Sequence, residues 1–198
     1  MVGMNIAERH MAALMTNDTV FITPVGSRLY GLNNADSDYD YFVIRDKDMS
    51  RNKHSVQDEF DVRTFSAIGL HEMLMRKPTH TGLEALYSPL RVLGPRAEKW
   101  LPFLDGIRPG LPALRHTFLS AALGTLTVKD DVKFKRFRLG LMLADKYTEA
   151  TQNDGRYNPR LSPREAAHLH ARAEALFGDS LEARKEILRA SFGEPREY

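Results

Sequence analysis

The feature that most restricts the fold is a change of hydrophobic period along the chain. Between residues 19 and 65 the apolar runs are short and strand-like, whereas from Leu83 onward the recurring pattern is helical. Thr19-Val-Phe-Ile-Thr-Pro-Val25 has the composition of a buried strand, with Pro24 weakening its end. Asp38-Tyr-Asp-Tyr-Phe-Val-Ile44 reads as a second strand, closed by the charged stretch Arg45–Lys53. A third is expected at Glu59–Phe65, where Phe60 and Val62 alternate with Asp61 and Arg63. A short amphipathic helix over Met4–Met15 precedes these strands, and Arg28–Leu32 has room for about one helical turn. Ser66 suits the N-cap of a helix running through Leu70 and Leu74 until Lys77–Gly82 breaks it. Helical segments then follow at 83–88, 96–105, 110–127, 132–151, 162–177 and 180–191, separated by prolines 95, 109, 112, 159 and 163. The expectation is an α+β protein. A small mixed β-sheet core with flanking helices fills residues 1–90, and a C-terminal helical bundle fills 91–198.

Composition narrows the chemistry. With no cysteine among 198 residues, disulfide frameworks, thiolate zinc sites and cysteine nucleophiles are excluded. The longest clean apolar stretch, near Leu139–Ala144, is far short of the roughly 18 residues a membrane helix needs. No basic-then-apolar leader opens the chain, so no membrane association and a cytoplasmic location are expected. Residues 1–80 hold 9 basic and 11 acidic side chains and the remainder hold 19 and 15. The acidic excess thus falls where metal ligands are sought below, and the basic excess where a phosphate-rich partner could lie.

The stretch that carries chemistry is Gly26-Ser-Arg-Leu-Tyr-Gly-Leu-Asn-Asn-Ala-Asp-Ser-Asp-Tyr-Asp40. Strand residues two apart share a face, so Asp38 and Asp40 project paired carboxylates from Cα atoms roughly 6–7 Å apart. Such a pair is unfavourable without an intervening cation and is a hard-oxygen donor set of the kind Mg²⁺ prefers. Asp61 on the next strand could add a third carboxylate, with Asp58 and Glu59 as rival donors. Three convergent carboxylates can hold two metals about 4 Å apart and so stabilise in-line displacement at phosphorus. Gly26-Ser27, directly after a strand, permits a tight turn and close approach of a ligand to backbone N–H groups. The Ser27 hydroxyl can donate to a phosphate or cap the helix. Arg28 can reach a phosphate or make a surface ion pair. Asp36 reads as a turn cap.

This block resembles the DNA polymerase β-like nucleotidyltransferase superfamily. The shared pattern is a hydrophobic strand, Gly26-Ser27, ten intervening residues, Asp38-Tyr39-Asp40 on a second strand, and Asp61 on a later one. The fuller Gly-Ser-Arg-x-Tyr-Gly and Ser-Asp-Tyr-Asp forms, with Asp61-Val-Arg-Thr-Phe65 and Glu84-Ala-Leu-Tyr-Ser88, look like a bacterial and phage-type subgroup of predicted nucleotidyltransferases. The resemblance covers about residues 19–90. It implies a nucleotidyltransferase core that passes a nucleoside monophosphate from an NTP, ATP among them, to a hydroxyl with Mg²⁺ (or Mn²⁺) and releases pyrophosphate. It further implies Asp38, Asp40 and Asp61 as catalytic metal ligands and Gly26 and Ser27 as triphosphate contacts. The acceptor is left open, an RNA or tRNA end being slightly favoured by the basic excess. The alternatives are a protein-modifying, AMPylating-type enzyme and a non-catalytic module of the same fold that binds nucleotide or RNA.

Other phosphate chemistries are disfavoured. Neither Gly-x4-Gly-Lys-Ser/Thr nor Gly-x-Gly-x-x-Gly occurs. A dehalogenase-type phosphatase places its Asp-x-Asp after the hydrophobic strand, whereas here the apolar run Tyr41–Ile44 follows the pair. In the helical half Lys133, Lys135, Arg136 and Arg138 form a basic cluster. Lys135 and Arg138 are candidates for nucleotide or RNA backbone contact, against the commoner reading of a solvated face. His168 and His170 are two apart on an expected helix and do not make a metal pair, and His71-Glu72 lacks a second histidine.

Overall fold

The computed structural model describes residues 6–33, 37–47, 53–57, 59–126, 133–178 and 180–193. Asp36 and Asp58 lie outside them. The chain divides into two compact units, residues 1–107 and 108–198.

The first unit is built on a five-stranded mixed sheet. Its strands are β1 (Thr19–Pro24), β2 (Tyr39–Arg45), β3 (Lys53–Gln57), β4 (Phe60–Ser66) and β5 (Val92–Leu93), in the order β3-β4-β2-β1-β5. β2 runs parallel to β4, and the other pairings are antiparallel. The helices are α1 (Ile6–Leu14), α2 (Gly26–Tyr30), α3 (Ala67–Arg76), α4 (His80–Tyr87) and α5 (Ala97–Leu104).

Alternation along the strands gives the sheet two different faces. Ile22, Tyr41, Val43 and Val62 are buried on one, with Tyr39 and Phe60 beside them, and Met11 and Leu14 of α1 pack against this face. His10 of α1 stacks flat on Phe60, ring centroids 3.7 Å apart. Burial there lowers the His10 pKa below its ordinary value. On the opposite face Val25, Phe42 and Ala85 form a second buried group with Phe65 against it. Ala85 belongs to α4, so that helix covers the face carrying the even-numbered residues of β2.

Two strands depart from the sequence expectation. β3 begins at the last residue of the charged stretch Arg45–Lys53 and has no counterpart in the sequence reading, because Lys53-His-Ser-Val-Gln57 is exposed along its whole length and shows no apolar alternation. It is a polar edge strand, and its backbone pairs with β4. β5 has only two residues, both exposed, which leaves no periodic signal. The helix expected from Leu83 starts earlier, at His80, because the Thr79 hydroxyl accepts the Gly82 N–H as its N-cap.

The division of the chain also lies later than the expected 90/91. β5 pairs with β1, and the Tyr87 hydroxyl donates to the Ile107 carbonyl at 3.1 Å. Arg91 pairs with Asp105 at 2.7 Å, and Lys99 and Trp100 of α5 both hydrogen-bond Asp46 at the end of β2. These contacts place residues 91–107 with the sheet.

The second unit is helical throughout its described secondary structure: α6 (Leu111–Thr125), α7 (Lys133–Gln152), α8 (Pro163–Leu176) and α9 (Leu181–Ser191). Leu114, Phe118, Phe137, Leu141, Ala173 and Leu188 are fully buried there. Ser162 and Glu165 close a reciprocal capping box at the start of α8. Among the described residues no helix is long and apolar enough to cross a membrane.

The cap of α3 behaves as its sequence indicates, the Ser66 hydroxyl accepting the Gly69 N–H at 3.0 Å. Replacing Ser66 by Ala should therefore lower unfolding free energy by about 1 kcal/mol in a urea titration. An unchanged midpoint would show that the bond contributes nothing.

Candidate functional site

The site begins where β1 turns into α2. Gly26 has φ +66°, in the left-handed region where a side chain is strained. A second constraint acts at the same residue, because a Cβ there would lie 2.8 Å from Oδ2 of Asp40. The Val25 N–H donates to the Asp40 carbonyl at 2.9 Å, which ties the strand end to that of β2. Thus the glycine is required twice, for its backbone angle and for the space the carboxylate occupies.

β2 and β4 then set the register of the acids. Asp40 pairs directly with Asp61 across the parallel ladder. Both alternate with residues of the α1-facing layer, so both carboxylates belong to the face that α4 covers. Asp38 immediately precedes β2 and is exposed. Asp40 and Asp61 are each half-buried.

Arg28 is committed to this geometry. Its Nε donates to the Asp38 carbonyl at 3.0 Å, and its Nη2 donates to the Ser37 carbonyl. The guanidinium lies over the Tyr39 ring, 3.4 Å from its centroid. These contacts hold the Ser37–Asp38 segment against α2.

Asp61 has partners that sequence reasoning missed. His54 Nε2 lies 2.9 Å from its Oδ1, and Arg63 Nε lies 3.6 Å from the same atom. His54 comes from β3, the unrecognised strand, so only the β3–β4 pairing brings it there. His80, at the start of α4, is held neutral, its pKa pushed down to about 4 by burial and by the nearby Arg63 charge.

The expected trio of acids does not close into a single cage. Among the described residues no three His, Asp or Glu side chains are grouped to hold a metal ion. Asp61 turns one oxygen to His54 and Arg63, and Asp38 stands outside the sheet. Asp38 and Asp40 still fit Mg²⁺ in donor type, since that ion is commonly bound through one or two carboxylates and completes its shell with water and phosphate.

Behind this corner sits Glu84, whose burial the three-dimensional arrangement brings out. It is 1% exposed in α4, accepts the Tyr30 hydroxyl at Oε1, and Oε2 has no hydrogen-bond partner. Burial pushes its pKa up to about 8, with the Tyr30 hydrogen bond opposing. The signal in the sequence is an acid amid the apolar residues Leu83-Glu84-Ala85-Leu86.

Lys135 and Arg138 lie on α7 of the second unit. Lys135 is exposed, while Arg138 is half-buried, with Nη1 placed 3.3 Å from His170 Nδ1 and Nε buried without a partner. Burial lowers the Arg138 pKa.

Comparison with known proteins gives no match to any family model and none to a curated protein.

The raised pKa of Glu84 fixes a sign for pH dependence. Between 4.5, its ordinary value, and about 8 the unfolded chain releases a proton that the folded chain keeps. Its stabilising effect is complete below the lower value and declines as pH rises toward the upper one. His80 acts in the opposite sense between 6.5 and about 4, costing stability as pH falls. Glu84→Gln should flatten the decline in unfolding free energy between pH 5 and pH 8, the pH 8 end rising relative to the pH 5 end. Parallel urea-derived profiles for the variant and the parent would contradict the assignment.

Proposed function

We propose that the first unit is a metal-dependent nucleotidyltransferase, transferring a nucleoside monophosphate from an NTP to a hydroxyl. The observation that carries this reading is the packing of the Gly26 backbone against the Asp40 carboxylate, with Asp61 in register beside Asp40. These two contacts support reading the glycine corner as the phosphate side of the site and Asp40 and Asp61 as its acids. The sheet and its helices are consistent with a nucleotidyltransferase core, and the mixed order places Asp40 and Asp61 on neighbouring parallel strands.

In this reading the Gly26–Ser27 backbone and the Ser27 hydroxyl bind the triphosphate. Asp38 and Asp40 would hold Mg²⁺ or Mn²⁺. Such an ion, when bound, supplies positive charge against the phosphate oxygens and a leaving pyrophosphate. Asp61, oriented by His54 and Arg63, accepts the proton of the attacking hydroxyl. That oxygen forms the new bond to the α-phosphorus, the bond to the bridging α–β oxygen breaks, and pyrophosphate departs with that electron pair. Arg28 keeps the Asp38 loop in place throughout. The acceptor is proposed to be an RNA or tRNA end, supported by the net basic composition beyond residue 80.

Asp40→Asn removes one carboxylate charge without changing side-chain volume. It should leave the thermal transition in place and reduce pyrophosphate release by at least about a hundredfold, the scale of losing a charge-stabilising group. The assay supplies Mg²⁺, each labelled NTP, and either total RNA or cell protein as acceptor. Label in RNA supports the acceptor named above, whereas label in protein alone points to the protein-modifying alternative. Undiminished turnover by Asp40→Asn would contradict the site.

A further inference from the structure

α2 has only five residues and no side-chain N-cap bond, so its own hydrogen bonds cannot fix its position. What fixes it comes from outside. Leu29 and Tyr30 are buried, and Gly31 ends the helix in the left-handed conformation with its N–H on the Ser27 carbonyl. α4 and the residue after it meet the β1–α2 corner at three points. Glu84 accepts the Tyr30 hydroxyl, Ala85 packs with Val25, and the Thr23 hydroxyl donates to Ser88 Oγ at 2.7 Å. Of these, Glu84–Tyr30 is the polar tie that reaches α2 itself.

This tie is an expensive choice for holding two helices together. A buried carboxyl with an unpartnered oxygen costs free energy that an apolar pair of similar volume would not. Shape alone would be served by leucine and phenylalanine. A hydrogen bond adds direction, because it limits how far α2 can slide or turn over α4, whereas an apolar contact tolerates such shifts.

We infer that Glu84 and Tyr30 are positioning residues, a latch that holds α2 so that Gly26 and Ser27 face a nucleotide triphosphate. Glu84 acts through Tyr30 and touches no reacting atom. The inference rests on the nucleotidyltransferase reading and names what keeps its phosphate corner in place.

The test compares the full-length parent with Tyr30→Phe/Glu84→Leu, which removes both polar partners, and with Glu84→Gln, whose amide oxygen still accepts the Tyr30 hydroxyl. Dissociation constants are measured with Mg²⁺ and ATP, CTP, GTP and UTP in turn. Amide hydrogen exchange across residues 26–31 is followed without nucleotide. The double variant should melt near the parent, exchange faster at these amides, and bind the preferred nucleotide about tenfold more weakly, the scale of one net hydrogen bond. Glu84→Gln should retain the parent's affinity and protection. Should the double variant fail to fold, Tyr30→Phe carries the same comparison by removing only a hydroxyl. Equal affinity and equal exchange in parent and double variant (or Tyr30→Phe) would overturn the latch while leaving the nucleotide reading intact. If the parent binds none of the four, the nucleotide reading fails and this inference with it, whatever the exchange data show.

Discussion

The close approach of Gly26 to the Asp40 carboxylate governs the rest of the first unit. A side chain at position 26 would need the room that Oδ2 of Asp40 fills, and the positive φ there would strain it as well. The Val25–Asp40 backbone bond extends the antiparallel β1–β2 pairing to the corner, so neither strand can slip without opening it. One-residue slippage would also exchange the faces of β2, sending Tyr41 and Val43 into the layer of α4 and Asp40 beneath α1.

Around that contact, the neighbouring elements act as braces. Arg28 ties α2 to the Asp38 loop through two carbonyls and a ring face. Tyr30 ties the same short helix to α4. β3 contributes His54 to Asp61, so an edge strand with no buried residue still shapes the acidic face. Asp61 meets His54 and Arg63, while Asp40 lies directly against the glycine corner. This division suits chemistry in which one carboxylate binds and another handles a proton.

The parts legible in the sequence were those where local chemistry and global position agree. Thr19–Pro24 and Tyr39–Arg45 are strands because their apolar residues are buried in the sheet, and Ser66 caps α3 as its position suggests. Gly26 was legible as a turn, whereas strand spacing put Asp38 and Asp40 on one strand and β2 begins only at Tyr39, after Asp38. β3 was not, because a fully exposed edge strand has no hydrophobic period, and its loss concealed His54 as a partner of Asp61. Nothing in Gly-Ser-Arg shows that the guanidinium of Arg28 reaches the Ser37 and Asp38 carbonyls. Residues 91–107 read as the start of the helical half, whereas β5 and the Asp46 contacts from Lys99 and Trp100 join them to the sheet. The burial of Glu84 depends on where α4 docks, which no local pattern encodes.

The central claim is that a glycine corner and neighbouring carboxylates together receive a metal-bound nucleotide. A crystal structure of the protein grown with Mn²⁺ and a non-hydrolysable nucleoside triphosphate analogue tests it most directly, using the anomalous signal of the ion. The account predicts Mn²⁺ on the Asp38 and Asp40 carboxylates, with the triphosphate lying along Gly26 and Ser27. Ion and nucleotide seated together on another surface, with this corner left bare, would contradict it.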